Sequence, residues 1–349
     1  MARAGVIGGR AMTTAVIVGA GLMGRWHAEA AAHAGVRVAA IVDTDAARAS
    51  VLARHYAGAT VCADLDAALA RDPAAVVHLC TPLATHAPLA LTAVRAGHHV
   101  LVEKPLVARL ADAETLLREA ADASRLVVPV HQFLFQRGAL GAADILPSLG
   151  ALLHIEAEIA STGAEHGTAA PDDVALEILP HALSFAARHC VRPITDATWR
   201  CDRTAPGELV VGASVGETRV TVRLSLRGRP PMNAIRFVAE RGTITLDLFN
   251  GFAVIDRTGT SRVMKPLRPW FAAVRLARVS MTALAGRALR RETAYPGLRE
   301  LVRRFHAAAA TGAPSPIPLA EIGAVARVWD DLRTQLHSAR EAAPGGPAR

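Results

Sequence analysis

The sequence is poor in lysine, in cysteine and in long apolar runs. Its 39 basic residues are 37 arginines and two lysines, Lys104 and Lys265. Four cysteines in 349 residues form no CxxC pair, so they do not indicate a disulfide framework. No run of about 18 apolar residues is free of charge, so no membrane-spanning helix is predicted. Met1–Thr13 lacks a sustained apolar stretch, which argues against a signal peptide, and we expect a cytoplasmic protein.

The net charge of +8 does not by itself predict a nucleic-acid partner. The excess of arginine over lysine accompanies a high alanine content and is typical of a GC-rich genome. Aromatic residues make up only 4% of the chain, and no motif interleaves them with basic residues as nucleic-acid sites do. We therefore expect no nucleic-acid binding.

Short apolar runs alternate with helical segments over residues 1–130. This alternation is typical of βαβ units and predicts a doubly wound parallel sheet, which is a Rossmann-type α/β domain. The predicted strands are Ala15–Val18, Val36–Val42, Ala75–Cys80, His99–Val102 and Leu126–Val130.

Residues 131–340 follow a different pattern, which predicts a second domain because the chain is too long for one core. Its strand-like segments alternate apolar and polar residues and are joined by glycine-containing turns, so we expect an α+β domain with an open, mainly antiparallel sheet. The predicted strands are 151–160, 208–214, 217–226, 233–240 and 243–249, and the predicted helices are about 172–189, 296–311 and 319–339.

A glycine-rich loop follows the first predicted strand and precedes a helix. Gly19 permits a tight turn, Gly21 lets the backbone approach a pyrophosphate, and Gly24 allows close packing of helix on strand. Leu22 and Met23 lie at the start of the helix, where free N–H groups and the positive end of the dipole favour phosphate. In this βαβ context the GxGxxG pattern predicts dinucleotide binding rather than a merely structural turn.

The second predicted strand ends at Asp43, 19 residues after Gly24. A carboxylate at this position accepts both ribose hydroxyls of NAD and repels the 2′-phosphate of NADP. The sequence therefore favours NAD over NADP as the cofactor.

Further motifs resemble the glucose–fructose oxidoreductase, inositol dehydrogenase and rhizopine-catabolism (Gfo/Idh/MocA) family. They are His27 after the glycine loop, Thr81-Pro82 with His86, and Glu103-Lys104-Pro105. The resemblance is strong over residues 15–131 and thin beyond them. It implies binding of NAD or NADP and oxidation or reduction of sugars, cyclitols or related alcohols. It also implies a homo-oligomer through the sheet of the second domain.

The resemblance also implies positions around the cofactor. Thr81, Pro82 and His86 would border it, Glu103 would approach the nicotinamide ribose, and Lys104 would approach both nicotinamide and substrate. These motifs follow the carboxyl ends of predicted parallel strands, where such sheets bind ligands.

Lys104 is the candidate for proton exchange with the substrate. Moving a hydride from a carbinol carbon requires a group that takes the hydroxyl proton or returns it. In a chain that uses arginine almost everywhere, a lysine in Glu103-Lys104-Pro105 suggests a need that guanidinium cannot meet. The alternative is a solvated loop lysine.

A second candidate pair is Glu177 and His181. The resemblance implies that His181 is an acid/base histidine, with Glu177 in place of the family's aspartate and Leu179 in place of its glycine. At i, i+4 on a helix, the glutamate could orient the imidazole. The alternative is a helix-surface pair.

His131 and Gln132 follow the last Rossmann strand and are candidate substrate contacts, with Arg137 as a further possibility. Many family members carry an arginine where this chain has Leu134, which leaves the substrate class open. An ordinary polar loop is the alternative.

No metal site is predicted, because the histidines do not form a spaced ligand set with acids or cysteines. Those considered are His27, His33, His78, His98 and His99.

Residues 265–304 contain ten basic and two acidic residues with apolar residues between them. A basic amphipathic helix of this kind can lie on a membrane surface, cover a sheet, or flank a phosphate-bearing substrate. We expect a solvated structural helix, with membrane-surface contact as an alternative.

These observations together predict an NAD(P)-dependent oxidoreductase acting on a hydroxyl or ketone of a sugar, cyclitol or related small molecule. Two alternatives stay open. One is reduction of another carbonyl or a conjugated substrate, and the other is a non-catalytic, cofactor-binding regulator on the same fold.

Overall fold

The computed structural model shows two compact units. Residues 1–130 and 298–326 belong to the first, and residues 131–297 and 327–349 to the second. The sequence had assigned 298–326 to the second domain. The structure describes residues 13–72, 75–162, 169–257, 266–292 and 294–342, with the side chains of 340–342 left out. Residues 1–12 and Lys265 of the basic segment lie outside the described residues.

The first unit contains a six-stranded sheet in the order β3-β2-β1-β4-β5-β6, in which every pair is parallel. Its strands are β1 (Thr14–Val18), β2 (Arg37–Val42), β3 (Thr60–Cys62), β4 (Ala75–Leu79), β5 (Val100–Val102) and β6 (Val127–Pro129). Its helices are α1 (Leu22–His33), α2 (Ala46–Ala53), α3 (Leu65–Arg71), α4 (His86–Arg95), α5 (Leu110–Asp122) and α9 (Leu298–Thr311).

The strands of this sheet are buried on both faces, as continuous apolar sequences in a parallel sheet require. Helix α9 packs on α1 with buried residues spaced at i, i+3, i+4 and i+7, among them Leu298, Leu301, Val302 and Phe305. Arg299 of α9 also pairs with Glu29 of α1, with Nη2 and Oε1 2.6 Å apart. A segment late in the chain thus completes the Rossmann unit.

The second unit contains a seven-stranded sheet in the order β13-β12-β11-β7-β10-β9-β8. Its strands are β7 (Leu152–Ala160), β8 (Arg200–Ala205), β9 (Glu208–Val215), β10 (Thr218–Ser225), β11 (Met232–Ala239), β12 (Gly242–Asp247) and β13 (Phe252–Arg257). Its helices are α6 (Arg137–Ile145), α7 (Pro171–His189) and α8 (Arg268–Leu289). Helix α10 (Leu319–Ala342) is divided, with its residues up to Ala326 assigned to the first unit and the rest to the second.

The predicted fold class is confirmed, with one refinement to the second sheet. All its neighbouring strands are antiparallel except β7 and β10, which are parallel, so the sheet is mixed. Strands β9 and β10 alternate buried and more exposed residues, and α7 packs on them. The sequence did not predict β8 and β13, which form the two edges of this sheet.

Among the residues described, every helix is too short or too polar to cross a lipid bilayer.

Candidate active site

The glycine loop between β1 and α1 is held by close backbone contacts. Gly19 has a φ of +95°, and a Cβ there would lie 2.6 Å from the carbonyl oxygen of Cys80. A Cβ on Gly24 would collide with the carbonyl oxygen of Gly19. Both positions therefore require glycine: a side chain at Gly19 would strike the backbone that follows β4, and one at Gly24 would separate α1 from the loop after β1.

The third glycine, Gly21, is under no such constraint from the protein. A Cβ built there meets no atom within 4 Å, so its missing side chain leaves open space beside the loop. Gly21 is the N-cap of α1, where no side chain caps the helix and no acid occupies the first turn. Backbone N–H groups and the positive dipole end are therefore available to an anion, which fits the pyrophosphate of a dinucleotide.

Asp43, after β2, is tied to this loop. Its Oδ2 accepts a hydrogen bond from the backbone N–H of Ala20 at 2.6 Å, and its Oδ1 accepts one from Asp45 at 2.8 Å. Burial tends to raise the pKa of Asp43, but the two N–H donors and the Arg48 guanidinium outweigh it and hold that pKa below its ordinary value. Asp43 is therefore an anion, placed where the resemblance and the fold put an adenosine ribose.

Arg48 introduces a competing charge at the same place. Its Nη2 lies 3.2 Å from Oδ1 of Asp43, and its side chain is about half exposed. An arginine beside the ribose acid can accommodate a 2′-phosphate, so Asp43 and Arg48 act in opposite directions on the choice between NAD and NADP.

Thr81 and Pro82 follow β4, and Lys104 and Pro105 follow β5. His86, the first residue of α4, is buried and joins these two loops. Its Nε2 lies 2.8 Å from the carbonyl oxygen of Thr81 and its Nδ1 2.9 Å from that of Pro105. Both ring nitrogens are thus used within the protein, so His86 supports the two loops that the resemblance places around the cofactor. The Lys104-Pro105 peptide bond is cis.

Glu103 is buried, and each of its carboxylate oxygens has a partner. Oε1 lies 3.1 Å from Nε2 of His27, and Oε2 accepts the backbone N–H of Lys104 at 3.1 Å. Burial tends to raise the pKa of Glu103, but the His27 hydrogen bond, the charge of Lys104 and the Lys104 N–H lower it overall. Burial and the neighbouring Glu103 carboxylate raise the pKa of the Cys80 thiol well above its usual range, so this thiol stays neutral.

His27 begins a buried chain of three imidazoles that the sequence did not predict. Its Nδ1 lies 3.0 Å from Nδ1 of His78 in β4, and Nε2 of His78 lies 2.9 Å from Nε2 of His306 in α9. Nδ1 of His306 in turn lies 2.9 Å from Oγ1 of Thr13. A continuous line of hydrogen bonds therefore runs from Thr13 to Glu103, the residue before the candidate catalytic lysine.

The chemistry of this histidine chain limits where its protons lie. Burial, reinforced by neighbouring histidines, lowers the pKa of His78 well below its usual range and that of His306 to about 4. Each is therefore neutral at pH 7 and carries one N–H. If His27 is neutral too, every bond points toward Glu103: Thr13 donates to His306, His306 to His78, His78 to His27, and His27 to the carboxylate. If His27 is an imidazolium, the bonds beyond it reverse.

In the second unit, the predicted acid/base residue His181 lies in α7 and is buried. Its ring packs on Phe133, with the two centroids 4.4 Å apart. Pro180 inside the helix lacks an N–H, and the carbonyl oxygen of Leu176 four residues earlier instead accepts the indole N–H of Trp329 at 2.8 Å. Glu177 is exposed while His181 is buried, so the two differ in their access to solvent although their spacing favours one face.

The remaining predicted substrate contacts also belong to the second unit. His131, Gln132 and Leu134 are all buried. Oε1 of Gln132 is a buried oxygen with no hydrogen-bond partner among the described residues. Such an atom is costly to leave unpaired, which suits an acceptor kept for a ligand or a water molecule.

The carboxyl edge of one parallel sheet thus gathers a glycine loop with an uncapped helix N-terminus after β1, an ionised carboxylate after β2, and Glu103-Lys104 after β5. A six-stranded doubly wound sheet with these features defines a dinucleotide-binding domain of the kind found in oxidoreductases. The profile of the Gfo/Idh/MocA oxidoreductase family, which has an NAD-binding Rossmann fold, matches residues 13–131. Over these residues the chain is similar to that family.

Curated relatives match the same region. Over 138 residues the chain is 33% identical to 4-carboxy-2-hydroxymuconate-6-semialdehyde dehydrogenase of a Sphingobium strain, covering 37% of this chain and 44% of the relative. Over 123 residues it is 34% identical to inositol 2-dehydrogenase of Corynebacterium glutamicum, covering 35% of this chain and 36% of the relative. The chain thus matches less than half the length of either relative.

The fold as a whole is similar to solved structures. UDP-N-acetylglucosamine 3-dehydrogenase GnnA from Acidithiobacillus ferrooxidans superimposes with a TM-score of 0.72 at 18% identity, covering 93% of this chain and 98% of that one. At this identity the likeness establishes the fold alone.

Proposed function

We propose that the protein is an NAD-dependent dehydrogenase or reductase that moves a hydride between nicotinamide and a hydroxyl-bearing or carbonyl carbon of a sugar, cyclitol or related small molecule. The observation that carries the proposal is the placement of Gly19–Gly24, Asp43 and Lys104 after β1, β2 and β5 of one parallel sheet. The carboxyl ends of parallel strands meet at one edge, so these groups serve one ligand.

The residues have separate tasks in this proposal. The N–H groups at the start of α1 bind the pyrophosphate, and Asp43 accepts the hydroxyls of the adenosine ribose. The bound nicotinamide supplies the hydride chemistry. During oxidation the neutral amine of Lys104 takes the hydroxyl proton and becomes an ammonium, and during reduction that ammonium returns the proton, which keeps the reaction balanced in protons. Glu103, held by His27, keeps a negative charge beside that ammonium.

The substrate contacts are proposed to come from the second unit. His181 is the second acid/base group, Glu177 assists it, and His131 and Gln132 bind substrate hydroxyls. The unpaired Oε1 of Gln132 supports a role as hydrogen-bond acceptor. The name of one relative, inositol 2-dehydrogenase, and that of one structural neighbour, a UDP-N-acetylglucosamine dehydrogenase, support a polyhydroxylated substrate.

The reaction class has one alternative with a specific observation behind it. The relative that acts on a muconate semialdehyde has a name that implies an aldehyde rather than a carbinol. A substrate screen should therefore include semialdehydes beside sugars, cyclitols and nucleotide-sugars, with NADH absorbance as the readout.

The decisive variant is Lys104→Arg, compared with Lys104→Ala. A guanidinium keeps the charge but stays protonated and is bulkier, so both variants should lose on the order of 10² or more in kcat/KM. NADH binding, measured by fluorescence, should persist in both because the phosphates are held by Gly19–Gly24. Lys265→Arg, the same replacement at the only other lysine, is the matched control and should keep full activity.

Activity of Lys104→Arg within a few-fold of the wild type would refute proton transfer by Lys104. Binding of NADH without turnover of any substrate class would instead favour a regulator on this fold.

We further propose a cytoplasmic homo-oligomer that associates through the seven-stranded sheet. Helix α7 packs on one face of β9 and β10, while cross-strand pairs such as Arg223–Glu158 and Arg236–Glu156 lie at exposed positions. Light scattering after size-exclusion chromatography measures the oligomeric state directly.

A further inference from the structure

Helix α8 touches the rest of its unit along one side only. None of its 22 residues is buried. The half-buried positions Arg275, Val279 and Ala283 recur every four residues, and the helix packs by this side on β13. Arg275 fixes the contact by donating to the carbonyl oxygen of Ile255 and to the carboxylate of Asp256. One side of α8 is therefore anchored.

The opposite side is a continuous apolar stripe. Its positions follow i, i+4, i+7, i+11, i+14 and i+18, which lie on one face of a helix. Trp270 is 67% exposed, and Met281 and Leu284 are each 71% exposed. At about 1.5 Å per residue the stripe is roughly 27 Å long. Its members are Trp270, Val274, Ala277, Met281, Leu284 and Ala288.

The charges of α8 all have one sign. Its charged residues are four arginines, and it contains no acid. At 100° per residue, Arg278 lies about 80° to one side of the stripe and Arg287 about 100° to the other side. Arg287 donates from Nη1 to the carbonyl oxygen of Phe249 at 3.2 Å, so it is held against the protein. Glu292, just beyond the helix, pairs with Arg290 at 3.5 Å. The stripe is thus apolar at its centre and positive at its margins.

The apolar stripe and the positive charges of α8 favour an anionic bilayer surface over a second copy of the protein as the binding partner. A two-fold contact with a second copy would bring the arginines of one α8 toward those of the other, with no carboxylate in either helix to pair with them. An anionic bilayer surface offers phosphates for the arginines and an apolar layer for the stripe, and a tryptophan is well suited to that boundary.

We propose that α8 is an interfacial helix that binds anionic phospholipid surfaces, with the stripe among the upper acyl chains and Arg278 at the phosphates. The inference is independent of the proposed reaction. It places the protein on a membrane surface.

The test is co-sedimentation of the full-length protein with vesicles. Phosphatidylcholine vesicles that contain phosphatidylglycerol should bind it, vesicles of phosphatidylcholine alone should bind it much less, and salt should weaken binding. Met281→Glu combined with Leu284→Glu should reduce partitioning about ten-fold or more, because carboxylates enter the apolar layer poorly and meet anionic headgroups. The matched control is Val191→Glu, at a position that is 94% exposed outside α8, and should bind as the wild type does.

Tryptophan emission gives a second readout. Trp270 is exposed whereas Trp199 and Trp329 are buried, so anionic vesicles should shift the emission to the blue in the wild type but not in Trp270→Phe. Circular dichroism and NADH binding verify that the variants are folded.

Three results would overturn the proposal: no binding to anionic vesicles, equal binding to neutral ones, or equal loss in Val191→Glu and the stripe variant. A fourth would assign the stripe to a second copy, namely dissociation of an oligomer by the stripe variant without any vesicle binding by the wild type.

Discussion

Replacement of His78 by leucine tests the buried histidine chain. The two links of His78 measure 3.0 Å to His27 and 2.9 Å to His306, and leucine can make neither. One nitrogen of His27 and one of His306 would then face an apolar side chain. A buried polar atom that loses its partner costs about 1–3 kcal/mol, so the expected loss in the free energy of unfolding is about 2–6 kcal/mol. That is a large share of the roughly 5–15 kcal/mol of an ordinary protein.

His98→Leu is the matched comparison. His98 is also a buried imidazole of the first unit, but among the described residues it makes a single hydrogen bond, from Nδ1 to the carbonyl oxygen of Ala75 at 2.8 Å. The free energy of unfolding should therefore fall about half as much in His98→Leu, by roughly 1–3 kcal/mol. Hydrogen exchange of the β1 and β4 amides reports the unfolding of this unit separately from the other. Equal destabilisation by the two variants would refute the continuous hydrogen-bonded chain of histidines.

The remaining predictions concern the cofactor, the substrate and pH. Asp43→Ala should bring the affinities for NADH and NADPH closer together, measured by fluorescence titration, and equal affinities in the wild type would contradict the role of Asp43. His181→Ala should lower kcat by about 10²–10⁴ with NADH affinity unchanged, and unaltered turnover would return it to a structural role. Because the pKa of His306 is about 4 when folded and 6.5 when unfolded, only the unfolded state gains a proton on acidification. The free energy of unfolding should therefore fall between pH 6.5 and 4, by up to about 1.4 kcal/mol per pH unit from this group, and a His306→Phe variant with an equally steep slope would exclude it as the source.

The parts of the site that depend on local pattern are predictable from sequence. A glycine loop between a strand and a helix, or an acid at the end of the next strand, is recognisable because its neighbours along the chain determine its place. Gly19, Gly24 and Asp43 illustrate this, since their constraints come from contacts at the same sheet edge.

Contacts between distant segments are not predictable in this way. His78 and His306 are 228 residues apart, and no periodicity connects them. From the sequence, His27 is a motif residue of the resemblance, and both His27 and His78 are among the histidines that lack metal-ligand spacing. Neither pattern indicates that the two imidazoles are hydrogen-bonded to each other. Likewise, helical spacing placed Glu177 and His181 together, but only packing decides that one is buried and the other exposed.

The role of α9 has a consequence for modular engineering. Family recognition ends at residue 131, yet a residue of α9 supplies the partner of His78, and its apolar side packs on α1. In a chimera that takes only residues 13–131 from a relative, the relative's β4 and α1 would have to pack against the α9 of this protein. The Rossmann unit is therefore built from two separate segments of the chain. A domain exchange that preserves it has to include residues 298–326 as well.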